Sequence, residues 1–95
     1  MPKAKAKKFF AVLLPMLDLE KSRQFRTDHL SFLEMLRSKG HVYGNGRFSD
    51  GSGGLVIYQV ASYSDCETLV KQDPYIKTGA RCYEIHEWEA EWAEK

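Results

Sequence analysis

The sequence predicts one α+β domain whose elements follow the order β-α-β-β-α-β. Three observations lead to this prediction: an unbroken apolar run over residues 9–14, a helix-period apolar stripe within residues 17–39, and two strand-like segments that flank a Gly-rich turn over residues 49–53. The length of 95 residues fits one domain and leaves no room for two. The composition, 43% hydrophobic and 28% charged, is typical of a folded globular chain.

The first strand is expected at Phe9–Leu14, where every position is apolar and Pro15 closes the run. A strand with one face in water would alternate between apolar and polar residues, so this run favours a strand that is covered on both faces. The run is also far too short to cross a bilayer, and we expect no membrane association.

A helix is expected over residues 17–39, with Asp18 as its N-cap and Gly40 as a C-cap glycine. Its apolar side recurs at helical spacing, which is typical of a helix that packs on a core. That side consists of Phe25, His29, Phe32, Leu33 and Leu36.

Two strands are expected at residues 41–48 and 54–61, joined by the hairpin-type turn Ser49–Gly53, and a last strand is expected at residues 81–88. With two helices, these strands give the split βαβ, or ferredoxin-like, arrangement: a four-stranded antiparallel sheet with two helices on one face. The other face would be a large exposed apolar patch unless something covers it. We therefore expect a homodimer in which the open sheet faces pack together.

A shorter second helix is expected from Ser62 or Ser64, each of which begins a capping-box pattern, to about Gln72. Pro74 disfavours helical geometry at Asp73, so the helix should end before that residue. Asp73 is then placed to act as the N-cap of a further single turn.

The charge is nearly balanced, at +1, so the chain as a whole has no electrostatic attraction to nucleic acid. Residues 1–8 carry four lysines and no acidic residue, which fits either a nucleic-acid or membrane arm or a disordered basic tail. We favour the tail, because short Lys/Ala segments at chain ends are usually unstructured, and assign residues 9–95 to the domain.

The cysteine and histidine content predicts neither disulfide nor metal. The N-terminus lacks the apolar region of a secretion signal, so Cys66 and Cys82 are expected to be reduced thiols in a cytoplasmic protein. The Cys and His residues are too few and too widely spaced for zinc, and no phosphate-binding loop is present. We therefore expect no metal and no cofactor.

His29 and Arg26 are the first candidates for chemistry. His29 interrupts the apolar side of the first helix, and a histidine is suited to act as a general base near neutral pH. Arg26 precedes it by about one helical turn and lies on nearly the same face, where it is placed to bind an anion. The alternative is structural: a hydrogen-bonded histidine at the edge of the core, beside an arginine that covers apolar surface.

Asp73 also has two interpretations: the cap of a helical turn, or a carboxylate that orients His29. Nothing in the local sequence brings these two residues together, and capping is the simpler role. Gly46 and the neighbouring glycines also have two interpretations. They allow the backbone to approach a ligand closely, or, more simply, they allow turn and bulge geometry. Trp88 and Trp92 fit a ligand wall or, more simply, packing against a partner.

These motifs together resemble the YCII-related family over residues 9–88, nearly the whole chain. The resemblance rests on the order and spacing of short motifs, which are Arg26-x-x-His29-Leu30, Gly40, Gly46, the Asp50-Gly51 turn, Asp73-Pro74-Tyr75 and Gly79. It implies a ferredoxin-like fold in a dimeric α+β barrel like that of muconolactone isomerase. It also implies a cleft that holds a His and an Asp, which match His29 and Asp73.

The resemblance further implies a small cofactor-independent enzyme of lyase or isomerase type, with dehalogenation among its reactions, that acts on a small, often ring-derived acid. In this hypothesis His29 is the general acid/base and Asp73 sets its tautomer. The substrate site would contain Arg26, Gly46, Arg47 and Tyr75. The alternative is a non-catalytic small-ligand-binding or regulatory domain that uses the same cleft.

Two positions depart from the family pattern. Arg47 stands where members often have a proline, which replaces an apolar wall with a cation and favours an acidic ligand. The pair Trp88-Glu89 stands where a Pro-aromatic pair is common, near the end of the last strand.

Overall fold

Four antiparallel strands form one sheet, and the helices pack on one face of it. The structure, a computed structural model, describes residues 7–93; residues 1–6 of the predicted basic tail and residues 94–95 lie outside the described residues. The elements are β1 (Lys8–Pro15), α1 (Leu19–Gln24), α2 (Arg26–Ser38), β2 (Val42–Arg47), β3 (Gly53–Val60), α3 (Tyr63–Val70), α4 (Pro74–Lys77) and β4 (Glu84–Trp88). The sheet order is β2-β3-β1-β4, which confirms the predicted ferredoxin-like α+β class.

The core lies between the sheet and the helices. Alternate residues of β1 are buried there, as period-2 geometry requires, and α2 and α3 cover them. The inward side chains are Phe10, Val12 and Leu14 of β1, Val56, Tyr58 and Val60 of β3, Leu33 and Leu36 of α2, and Cys66 and Val70 of α3.

The outward face of β1 is half-buried within the single chain, and its predicted cover by a second chain stays a prediction. Aromatic side chains of the same chain give this partial cover. The ring of Phe9 lies 5.5 Å from the rings of both Tyr43 and Trp92, and Trp92 also contacts Trp88. Trp88, Trp92 and Tyr43 stay exposed, so an aromatic surface remains on the open face.

The helix predicted over residues 17–39 is divided at Phe25 into α1 and α2. The backbone of Phe25, with ψ of 14°, leaves helical geometry for one residue, although the hydrogen bond from His29 N to Phe25 O is kept. Asp18 is the N-cap, as predicted, and accepts from Lys21 N at 3.1 Å.

Gly40 ends α2 as the sequence predicts, because its φ of 84° is a left-handed conformation that favours glycine. The hydrogen bonds are those of a Schellman motif: Gly40 N donates to Arg37 O, and His41 N donates to Leu36 O. The chain therefore leaves α2 in a fixed direction and enters β2 at Val42.

The hairpin joins β2 to β3 as predicted, and β3 begins one residue earlier than expected, at Gly53. A Cβ at Gly53 would lie 2.4 Å from Leu14 O, so only glycine allows this approach of β3 to β1. Ser62 is the N-cap of α3 and accepts from Asp65 N at 3.1 Å, which selects the first of the two predicted capping patterns.

The last strand begins at Glu84 and not at residue 81, which corrects the predicted boundary. Arg81 and Cys82 still contact the end of β1, through a bridge to Met16 and a 3.2 Å hydrogen bond from Cys82 N to Pro15 O. The chain turns back here after α4. This turn brings α4 and Arg81 beside α2 and the ends of β1 and β3.

Candidate active site

Asp73 lies at the junction of α3 and α4, where its side chain is held by local geometry. Pro74 occupies the first position of α4, and Asp73 is its N-cap, with Oδ1 accepting from Tyr75 N at 2.9 Å. The side chain is 1% exposed, so this carboxylate is removed from water. The capping role predicted for Asp73 is therefore present.

The same carboxylate also contacts His29 on α2. His29 Nδ1 lies 2.8 Å from Oδ1 and 3.0 Å from Oδ2 of Asp73. A carboxylate only accepts hydrogen bonds, so the proton of a neutral His29 ring is assigned to Nδ1, and Nε2 keeps the basic lone pair. The two interpretations of Asp73 are therefore compatible, because one carboxylate accepts hydrogen bonds from both the backbone of α4 and the imidazole of His29.

The ring of Tyr75 fixes the plane of the imidazole. It stacks on His29 with ring centroids 3.8 Å apart and an interplanar angle of 12°. The guanidinium of Arg81 lies 4.4 Å from the Tyr75 ring centroid, a cation–π distance. His29 is therefore held by a hydrogen bond at Nδ1 and by a stacked ring, which leaves Nε2 as the nitrogen available to a ligand.

A cleft of about 180 Å³ lies beside His29. The predicted site residues that line it are Arg26, His29, Gly46, Arg47 and Tyr75. Asp73 does not line it and sits behind the imidazole. The apolar wall consists of Leu14, Leu30, Leu55 and Val56. The cleft thus combines an oriented imidazole, arginine side chains and an apolar surface, which is the usual composition of a small-molecule site.

Gly46 and Gly54 bring β2 and β3 close together at the cleft. A Cβ at Gly54 would lie 2.8 Å from Gly46 O, so this pairing needs glycine. A Cβ at Gly46 would meet no heavy atom within 4 Å. Gly46 therefore contributes open space at the cleft, whereas Gly54 is required by the sheet.

Arg81 is a site residue that the sequence interpretation missed. It lines the cleft at 8% exposure, and its Nη2 donates to Ser22 Oγ at 3.0 Å. Burial lowers the pKa of Arg81, and the nearby Tyr75 and Asp73 act against this shift. The only sequence signal is an arginine directly after the Gly79-Ala80 turn, and that signal does not distinguish a buried arginine from an exposed one.

Other features of the described chain lie away from this cleft. Cys66 is buried and Cys82 is exposed, and both are free thiols. Within residues 7–93, no group of three His, Cys, Asp or Glu side chains is placed to hold a metal ion. In the same range, no helix is both long enough and apolar enough to span a membrane.

Comparison with known proteins places the sequence and the fold in context. The profile of the YCII-related domain family matches residues 5–89. No curated protein matches the chain. Among solved structures, the fold is similar to 5-chloro-2-hydroxyhydroquinone dehydrochlorinase from Burkholderia phenoliruptrix AC1100 in complex with 2,5-dihydroxybenzoquinone. The TM-score is 0.74 at 20% identity, over 85% of this chain and 93% of that one, and this likeness shows a shared fold.

Proposed function

Since the chain belongs to the YCII-related domain family, we propose that it is a small cofactor-independent enzyme that moves a proton on a small acid, with His29 as its general acid/base. The observation that carries this proposal is the contact between His29 Nδ1 and Asp73 at 2.8 Å, beside a partly enclosed cleft. A buried carboxylate that orients an imidazole leaves its second nitrogen ready for proton transfer.

The proposed reaction begins when Nε2 of His29 takes a proton from a carbon next to the substrate's acid or carbonyl group. The electron pair of the broken C–H bond moves to the carbonyl oxygen, and Arg26 and Arg47, which line the cleft, stabilise the resulting negative charge. If the reaction is an isomerisation, His29 returns the proton to another carbon. If it is an elimination, the electron pair expels a leaving group, such as chloride, from the neighbouring carbon.

Two observations favour a ring-derived acid as the substrate. The cleft is lined by apolar side chains as well as by arginines, which suits a ring that carries an anionic group. The structurally similar dehydrochlorinase acts on a chlorinated hydroquinone, which supports elimination of halide as one form of the reaction. Tyr75, stacked on His29, would contact the ring of such a substrate.

We also propose that the protein is a cytoplasmic homodimer. Two free cysteines suit a reducing compartment, and the exposed Tyr43, Trp88 and Trp92 form an aromatic surface on the open face of the sheet. Light scattering at micromolar concentration should give about twice the chain mass of 10.9 kDa. A mass of one chain would contradict the dimer.

The second candidate function is a ligand-binding or regulatory domain that uses the same cleft without turnover. Its support is the small size of the cleft, about 180 Å³, which a bound acid would largely fill. Both candidates predict ligand binding near His29, and only the enzyme predicts proton transfer to and from carbon.

Proton exchange in D₂O separates the two functions. Aromatic acids, lactone acids and chlorinated hydroquinones would be incubated with the protein. Proton NMR would follow the loss of C–H signals, and a chloride-selective electrode would follow the release of chloride. The enzyme predicts exchange or turnover that His29→Ala removes and His41→Ala retains. Ligands that raise the melting temperature without any exchange would replace the enzyme by the binding domain.

A further inference from the structure

A second cavity, of about 200 Å³, adjoins the His29 cleft between α1 and the β2–β3 hairpin. The two cavities share four lining residues, Arg26, Arg47, Tyr75 and Arg81. Since Arg81 is the most deeply buried of the three shared arginines, it forms part of the floor where the cavities meet. Together the cavities form one recess with two compartments.

The recess is strongly cationic. Within residues 7–93, no Asp or Glu side chain lines either compartment. Arg23, at the outer compartment, lies 3.9 Å from Glu20, but both side chains are exposed and this pair is weak. Asp50 of the hairpin accepts from Ser52 N within its own turn.

The nearest buried carboxylate offsets at most one of these charges. Asp73 is hydrogen-bonded to His29 and to the backbone of α4, and it stands behind the imidazole. Arg26, Arg47 and Arg81 therefore contribute three positive charges against one carboxylate. Two positive charges are left without a counter-charge. Arg26 and Arg47 are exposed residues, whereas Arg81 is buried, where electrostatic interactions are stronger than in water.

Arg81 shows most clearly that an anion is missing. Its Nη2 bonds to a neutral hydroxyl, that of Ser22, and its Nη1 lies 3.5 Å from Leu14 O. Its Nε is buried and has no hydrogen-bond partner among the described residues. A buried guanidinium without a carboxylate partner is costly, and an anionic ligand group in the outer compartment would supply the missing counter-charge.

We propose that the ligand of this recess is a small dicarboxylate, a deeper statement that rests on the proposed function. One carboxylate lies in the inner compartment beside His29, between Arg26 and Arg47. The second lies in the outer compartment against Arg81. Two carboxylates match the two uncompensated positive charges, and the apolar wall of the inner compartment contacts the carbon skeleton between them.

Matched pairs of ligands test this proposal by isothermal titration calorimetry. Succinate, glutarate, adipate and phthalate would each be compared with its monomethyl ester, which keeps the carbon skeleton and removes one charge. For at least one pair the diacid should bind about tenfold more tightly, which corresponds to about 1.4 kcal/mol. Added salt should reduce the difference, because the interaction is between charges.

Arg81→Met should remove the preference for the diacid, because it lowers the affinity for the diacid about tenfold more than the affinity for its monoester. Lys71→Met is the control for the loss of one positive charge: Lys71 is an exposed residue that directly follows α3 and lines neither compartment. That variant should keep the preference. Circular dichroism would verify that each variant is folded, and the comparison of diacid with monoester in the unaltered protein stands even if Arg81→Met does not fold.

The outcomes separate this proposal from the proposed function. Equal affinities within every pair overturn the dicarboxylate, even if His29-dependent exchange is found. A preference for the diacid that Arg81→Met retains also overturns it. A diacid preference without any proton exchange keeps the dicarboxylate and overturns the enzyme.

Discussion

The two ends of the sheet each have a cavity and a histidine, but they differ in the volume of the cavity and in the hydrogen bonding of the histidine. The His29 cleft measures about 180 Å³, whereas a cavity of about 480 Å³ lies at the other end, lined mainly by Val60, Ala61 and Leu69 with His41 beside them. His29 is bonded to Asp73 at Nδ1, but His41 Nδ1 is buried without a partner among the described residues. Cavity volume alone would favour the His41 end, whereas our proposal places the site in the His29 cleft. An oriented imidazole with converging cations is what marks a site for chemistry.

The largest expected effect separates the two histidines by activity. Replacing His29 by Ala removes the group that transfers the proton, and turnover of any acid found by the exchange screen should fall about 10²–10⁴-fold. His41→Ala, at the other end, should leave the rate within about twofold, since it touches neither the cleft nor Asp73. The measurement is the initial rate by NMR. Equal losses of turnover rate in the two variants would contradict the assignment of the general acid/base to His29.

The next effect compares two helix N-caps, one at each end. Asp73→Ala removes the cap of α4 and leaves the buried Nδ1–H of His29 unsatisfied, so the free energy of unfolding should fall by about 2–4 kcal/mol. Ser62→Ala removes only the cap of α3 and should cost about 1 kcal/mol. Urea unfolding measures both values. If the two losses are equal, the contact with His29 adds nothing to stability.

A smaller effect concerns which nitrogen of each ring carries the proton. At alkaline pH, His29 should be found with its proton on Nδ1, because the Asp73 carboxylate accepts from it. Asp73→Asn keeps an acceptor for the cap but weakens this preference, and turnover should fall less than in His29→Ala. Two-bond proton–nitrogen NMR spectra identify the tautomer, with His41 as the internal reference. An unchanged His29 tautomer in Asp73→Asn would contradict the orienting role.

The smallest effect lies in the core under α3, the helix that supplies Asp65, Thr68 and Leu69 to the larger cavity. Burial raises the pKa of the Cys66 thiol from 9.0 to about 12, and burial with the nearby Asp73 carboxylate also raises the pKa of Tyr58. Above about pH 9 the unfolded chain loses these protons while the folded chain keeps them. The free energy of unfolding is therefore undiminished below pH 9 and should fall between pH 9 and 12.

Cys66→Ala tests the origin of that loss. The variant should show a shallower decrease of stability from pH 9 to 12, whereas Cys82→Ala, at an exposed thiol, should follow the parent protein. Urea unfolding across this pH range gives the slopes. The same slope in Cys66→Ala would assign the alkaline loss to other groups.

Local signals in the sequence predicted most of the fold. The caps at Asp18, Ser62 and Asp73 and the glycine at Gly40 depend on hydrogen bonds within a few residues, and each lies where it was expected. The interruption at Phe25 has no such signal, because neither proline nor glycine marks it.

The candidate site could not be predicted from local sequence signals alone. His29 and Asp73 are separated by 44 positions, so their contact depends on how α2 packs beside α4. Each residue was a candidate from its own environment, and only the family resemblance joined them. Arg81 was assigned to the last strand, because the turn that directs it to Ser22 and Leu14 is held by long-range bonds such as Leu17 N to Ala80 O.

The central position of β1 has a consequence for how the chain folds. β1 is synthesised first among the strands, yet its register pairs Lys8 with Val60 and Phe9 with Trp88. Two of the three strand pairings therefore wait for distant segments and only the β2–β3 hairpin is local, which favours a folding rate between those of helical bundles and all-β domains. During synthesis, one edge of β1 stays unpaired until residues 84–88 emerge, and an unpaired apolar strand is prone to aggregation during that interval.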